Sequence, residues 1–413
     1  MLFPLAFFKY YGFIAENLNA ILPSMEHKEA EKSEKDNFMT DYGVSIFIAF
    51  DDDFMNRYII IYGPTGKSVS PERIGGAEAG CMKTMKILRE AGFCIILLEK
   101  PVRKKSLLSY VARLLYTWMR LVTLLFMHRK ATLHIVGCYR ELMYVEWAFI
   151  LTAKVLSHKT VYDIRNGDMI KEYEKRGNLY KHGMLSLLKR NDSVLCQGID
   201  YVRFIEDKLG KPALYYPNYI QDRFTIGGYP KREMQQCRLV YFGRIVPAKN
   251  IDVMLEICHI LHERGISPTL DLIGGCSDAY KQELETNILK AGISGKVRFW
   301  GRKDVGEFFP YLRTCHFFLF PSNNYREGHS NSLTEAMGCG IVPVVSNVGF
   351  NRQVVDDDRL VISEADNAVM YANVIFGIWI SGGWESYSRK MYFRVIANFT
   401  EKSARETLLE AYQ

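Results

Sequence analysis

Short apolar runs rich in β-branched and aromatic residues alternate with longer stretches of helical periodicity along most of this chain, and that alternation limits the fold more than anything else in it. Such alternation encodes βαβ units, hence parallel sheets covered on both faces. It occurs twice. Strands are predicted first at Tyr58 to Tyr62, Gly92 to Leu98, Thr132 to Val136, Thr160 to Asp163, Ser193 to Cys196 and Ala213 to Tyr216. A second set follows at Arg238 to Phe242, Thr269 to Ile273, Val297 to Trp300, Phe317 to Phe320, Val342 to Val345 and Leu360 to Ile362. The expected fold class is α/β, with two doubly wound Rossmann-like domains facing a cleft. Pro217 to Arg232 has linker composition, which puts the boundary near Asp222. The expected division is an N-terminal extension and linker over 1–50, a first domain over 51–222, a second over 223–385 and a closing helical segment over 386–413.

The 413 residues suit two domains of roughly 180 residues each. A hydrophobic share of 48% with 24% charged residues belongs to a globular enzyme, not a disordered chain. The net charge of +7 comes without a long basic block, so no nucleic acid partner is expected. Nine scattered cysteines, with no CxxC pair and no histidine spacing suited to zinc, imply reduced thiols and no structural metal. With no cleavable signal sequence apparent, the expected compartment is the cytoplasm.

Two apolar stretches bear on membranes. MLFPLAFFKYYGFIA at the N-terminus is too short to span a bilayer, leaving an interfacial anchor or a poorly ordered extension. From Ser106 to Met127 the chain is apolar except for Ser106, Ser109, Arg113, Thr117, Arg120 and Thr123, which recur as one narrow helical stripe. This is either a helix packed on a parallel sheet or a peripheral membrane contact spanning 103–130, flanked by Arg103, Lys104, Lys105, Arg129 and Lys130.

The most informative segment for chemistry is YREGHSNSLTEAMGCGIVPVVS, directly after the predicted strand HFFLFPS. A helix starting near Asn331 would turn its free amides and positive end toward the C-terminal edge of the sheet, where doubly wound folds bind ligands. A diphosphate suits that place, with Asn331, Ser332 and Leu333 supplying the first turn. Glu335, one turn in, could accept hydrogen bonds from a ribose, while Glu327 and Gly328 lie in the loop near a sugar. The plain alternative is a helix with an acidic residue in its first turn and an unremarkable loop glutamate.

Together with YFGRIVPAKNID, which contributes Gly243, Arg244, Lys249 and Asn250, this segment resembles retaining glycosyltransferase family 4, among the glycosyl transferases group 1. That family pairs two glutamates at this spacing with an FxGR…K segment on the first strand of its second domain. The resemblance implies the GT-B architecture, with a nucleotide sugar held mainly by the C-terminal domain. It implies that Arg244 and Lys249 clamp the donor diphosphate, a role that the charge developing on a leaving nucleotide also demands.

Near the N-terminus, YGPTGKSVSPERIGGAEAG resembles the family's glycine-rich loop, with Gly75, Gly76 and Glu78 as donor-binding candidates. GPTGKS is not a phosphate-wrapping P-loop, because Ile61 stands where that motif requires glycine. VYDIRNGD supplies Arg165 as a catalytic candidate and Asn166 and Asp168 on the acceptor side. His134 could approach the cleft or could be a core histidine. The implied activity is transfer of a sugar from a UDP- or GDP-linked donor to a hydroxyl of a saccharide or lipid-linked saccharide, retaining configuration and needing no metal or other cofactor. Polysaccharide or surface-glycan synthesis is the setting this suggests. The alternatives are a nucleotide-sugar epimerase on the same fold and a non-catalytic protein that binds nucleotide sugar or membrane.

Overall fold

The computed structural model describes residues 57–64, 76–102, 106–137 and 140–413. The 1–50 extension, Gly75, the flanking residues Arg103, Lys104 and Lys105, and Cys138 lie outside the described residues. All twelve predicted strands form, each within two residues of its expected position. β1 (Tyr58–Gly63), β2 (Cys94–Glu99), β3 (Thr132–Gly137), β4 (Thr160–Ile164), β5 (Ser193–Cys196) and β6 (Leu214–Tyr215) make one parallel sheet ordered β2-β1-β3-β4-β5-β6. A second parallel sheet contains β7 (Cys237–Phe242), β8 (Pro268–Ile273), β9 (Val297–Gly301), β10 (Phe317–Phe320), β11 (Val342–Ser346) and β12 (Val361–Ile362), ordered β12-β11-β10-β7-β8-β9.

The apolar runs read as strands because both faces of each sheet are covered. In β1, Ile60 and Tyr62 join one buried cluster while Ile59 and Ile61 join another on the opposite face. Completing that second cluster are Ala404, Leu408 and Ala411, which belong to the end of the chain. The predicted closing segment is in fact two helices, Trp384–Asn398 and Glu401–Glu410. The first packs on helix Asn331–Gly338 of the second sheet's half, whereas the second crosses back to helix Gly76–Glu90 of the first. Forward and return crossings are tied together: the Ile220 amide donates to the Phe399 carbonyl at 2.9 Å. Lys86 pairs with Glu401 at 2.8 Å and fixes the returning helix to the first half.

On helix Leu107–Met127, Leu121 and Leu125 join the buried cluster that contains Tyr62 of β1 and Leu98 of β2. Thr117, from the polar stripe, is buried with Leu121 and Leu125, and these three are the buried residues of the helix. Its broad apolar side is exposed.

Candidate functional site

Between the C-terminal edges of the two sheets lies a cavity of about 550 Å³. In the second sheet the strand order changes direction between β10 and β7, so the loops following these neighbouring strands diverge and open a crevice. The loop after β7 carries Arg244 and Lys249, and that after β10 carries Glu327. Lys249 Nζ donates to Glu327 Oε2 at 2.5 Å, and both side chains are nearly buried. Burial lowers the Lys249 pKa, with Glu327 opposing that shift. Ser322 Oγ adds a 3.2 Å bond to the same Glu327 oxygen.

Glycines shape the floor of the cavity. Gly243 and Gly274 have φ of 143° and 156°, and a Cβ on Gly274 would lie 1.7 Å from the Gly243 carbonyl oxygen. Only two bare backbones can approach this closely. Arg244, Arg302 and Lys303 line the same cavity. Lys303 pairs with Glu307 at 3.3 Å, while the Arg244 and Arg302 guanidiniums have no hydrogen bond or ion pair among the described residues.

The predicted helix begins where expected, spanning Asn331–Gly338 with Ser330 as its N-cap. The Ser330 side chain does not cap it, so its first-turn amides are left for a ligand at the positive end of the helix. Asn331, Ser332 and Glu335 line the cavity, whereas Leu333 is fully buried behind it. Burial raises the Glu335 pKa; Lys83, on helix Gly76–Glu90, opposes this with its Nζ 3.4 Å from Glu335 Oε1. The same ammonium donates to Asn331 Oδ1 at 2.8 Å and the Tyr219 carbonyl at 3.0 Å.

The first sheet contributes an anchoring wall. Arg165, after β4, lines the cavity, but each guanidinium nitrogen is engaged: Nε with Asp163 (2.7 Å), Nη1 with Asn218 (3.3 Å) and Nη2 with Thr84 (2.8 Å). Gln197 Oε1 accepts the His329 amide and Asn218 Nδ2 donates to the His329 carbonyl, so both pin the loop bearing Glu327. Gly167 donates its amide to the Arg326 carbonyl at 3.3 Å, and a Cβ there would meet the Glu327 carbonyl oxygen at 1.9 Å. A Cβ on Gly349 would lie 1.7 Å from the same oxygen.

Gly76, Glu78 and Asn166 line the cavity as expected, together with Gly243, Gly328 and the second-half residues above. Asp168 stands behind the wall, buried and paired with Arg140 at 2.5 Å. His134 is the outlier. It is fully buried in β3, bonded to the Tyr412 hydroxyl at 2.6 Å and 3.6 Å from Asp163, and forms no part of the cavity lining. Lys83, Gln197, Asn218, Gly167, Gly274 and Gly349 were not singled out from sequence. Of these, Gly167, Gly274 and Gly349 had a local signal, each lying in a turn shortly after a predicted strand. Among the described residues, no group of three or more His, Cys, Asp or Glu could hold a metal ion.

Residues 230–375 match the family model of glycosyl transferases group 1. No curated protein sequence matches the chain. Similar solved structures include sucrose-phosphate synthase from Thermosynechococcus elongatus, at 15% identity and TM-score 0.67, covering 86% of this chain and 98% of that one. A glycosyltransferase from Rickettsia africae ESF-5 is similar at 12% identity and TM-score 0.66, over 86% and 98% of the two chains. Anabaena HepE in complex with UDP matches at 12% identity and TM-score 0.62, over 86% and 99%. These likenesses establish the GT-B fold.

Proposed function

From the premise that residues 230–375 form a group 1 glycosyltransferase domain on a GT-B frame, we propose that this chain transfers a sugar from a UDP- or GDP-linked donor to a hydroxyl of a saccharide or lipid-linked saccharide, with retention and without a metal. The proposed division of labour gives 51–222 to the acceptor and 223–385 to the donor. The observation that carries the reading is the crevice between β10 and β7, where Lys249 and Glu327 meet at 2.5 Å in a cavity also lined by Arg244 and by the helix start at Asn331.

Donor diphosphate lies against Arg244, Lys249 and the first-turn amides, which offset the negative charge that builds on the leaving group. Glu335 takes the ribose hydroxyls once Lys83 yields its contact, and Glu327 holds the sugar. As the bond from C1 to the phosphate oxygen breaks, its electrons pass to the diphosphate. The acceptor oxygen attacks C1 from the same face, and its proton moves to the departing phosphate. Arg165 acts as a positioning residue through Asn218, which holds His329 and with it the Glu327 loop. That the similar Anabaena protein was solved in complex with UDP supports a nucleotide-linked donor.

The test is incubation with UDP- and GDP-sugars and saccharide acceptors in excess chelator, with the product anomer read by NMR. Transfer with the donor's anomeric configuration is expected. An inverted product overturns retention, activity restored only by Mg²⁺ overturns metal independence, and a sugar altered without acceptor selects the epimerase reading.

A further inference from the structure

Helix Leu107–Met127 buries only a narrow stripe and leaves most of its large apolar residues exposed. Its buried residues, Thr117, Leu121 and Leu125, fix it to the first half of the molecule, where Leu121 and Leu125 share a cluster with Tyr62 and Leu98. Trp118 donates its indole N–H to Thr152 at 3.1 Å on the neighbouring helix Met143–Val155. The opposite side carries Leu108, Leu115, Met119 and Phe126, which are 84%, 56%, 48% and 54% exposed. Their spacing puts them on one line of an α-helix about 31 Å long. Monomeric soluble proteins rarely leave so large an apolar face uncovered.

Charge identifies what covers it. Residues 101–190, which contain this helix and its neighbour, hold 17 Lys and Arg against 6 Asp and Glu, or +11 in a chain of +7 overall. The rest of the chain is therefore net acidic. Arg129 and Lys130 are exposed shortly after the helix, and Arg120 is exposed on it. A second copy seated face to face would bring two strongly basic regions together, whereas an anionic bilayer offers hydrocarbon to the apolar line and negative headgroups to its rim.

We propose that helix Leu107–Met127 docks the protein in the plane of an anionic membrane surface. The helix is long and apolar enough to cross a membrane, but its buried stripe holds it against its own domain, and so it lies flat. Trp118 and Tyr116, amphipathic rings at the edge of the face, sit at headgroup level. The helix follows the C-terminal end of β2, so its start lies at the sheet edge that also borders the cleft. Docking is independent of the proposed sugar transfer and would stand if that reading failed.

The test uses the full chain with vesicles of phosphatidylcholine alone or mixed with phosphatidylglycerol, some carrying brominated acyl chains. Binding is expected only with phosphatidylglycerol, falling as salt rises, and with bromolipid quenching of tryptophan fluorescence that Trp118→Phe removes. Leu115→Glu with Met119→Glu lowers partitioning by at least about 100-fold, because two large apolar contacts are lost, while an unchanged thermal melt shows the fold intact. Vesicle binding with unquenched Trp118 overturns the proposal by placing attachment elsewhere, for example in 1–51. Absence of binding overturns it too, and a dimer that those two substitutions dissociate identifies a second copy as the occupant.

Discussion

Replacing Lys249 with Met keeps most of the side-chain volume and removes only the ammonium that meets Glu327 at 2.5 Å. Two effects follow, and they separate. For stability, breaking a buried pair costs about 3–5 kcal/mol when the remaining charge has no other partner. Glu327 keeps the Ser322 hydroxyl at 3.2 Å and borders the cavity, so water can reach it. The expected loss is therefore smaller, about 2 kcal/mol. For catalysis, losing one cation aimed at the leaving diphosphate lowers kcat by roughly 10²- to 10³-fold. Lys249→Met combined with Glu327→Gln removes the stranded charge, so the double variant should regain stability without regaining turnover. Thermal melts of all four members of the cycle, beside initial transfer rates, measure both. If the double variant recovers turnover, or Lys249→Met turns over normally, the pair is only structural and the donor-clamp assignment fails.

Gly274→Ala should destabilise by more than about 2 kcal/mol, since its Cβ would lie 1.7 Å from the Gly243 oxygen in a backbone region that L residues avoid; a wild-type melting temperature would refute the close approach. Burial pushes the His316 pKa down to about 4, and its Nδ1 accepts the Arg238 amide while Nε2 faces the Glu233 carbonyl. Its contribution is complete above the unfolded value of about 6.5 and fades as pH falls toward 4, a loss of about 2 kcal/mol by pH 5. Melts at pH 7 and pH 5 check this, and His316→Gln should flatten the difference; an equal pH dependence in both proteins would contradict it.

Strand positions were readable in the sequence because strands buried on both faces become continuous apolar runs, whatever their neighbours. The helix start at Asn331 was readable for a local reason too: a strand, a glycine-containing loop and a helical period follow in order. Gln197 also lies between a strand and a helix beside a glycine, yet its own side chain gave no more signal than Asn218 or Lys83. Each is an ordinary polar residue that matters only because the topology brings it to a loop more than 100 residues away. His134 shows the reverse, a chemically versatile residue whose strand position points it into the core instead of the cleft. Periodicity identified the Leu107–Met127 helix but could not say which stripe faces inward; three contacts with the protein interior decided that. The final helix, readable as a helix, gave no sign that it returns to the first sheet.

The most direct test of the donor cleft is a thermal-shift comparison of UDP, GDP and ADP, and their sugars, between wild type and Glu335→Ala. A ligand at about 100 times its Kd stabilises the folded state by about 2.7 kcal/mol. One nucleoside diphosphate should raise the wild-type melting temperature by several degrees and raise that of Glu335→Ala distinctly less. Equal shifts in the two proteins, or no shift with any nucleotide, would contradict a donor held by Glu335 at the start of the Asn331–Gly338 helix.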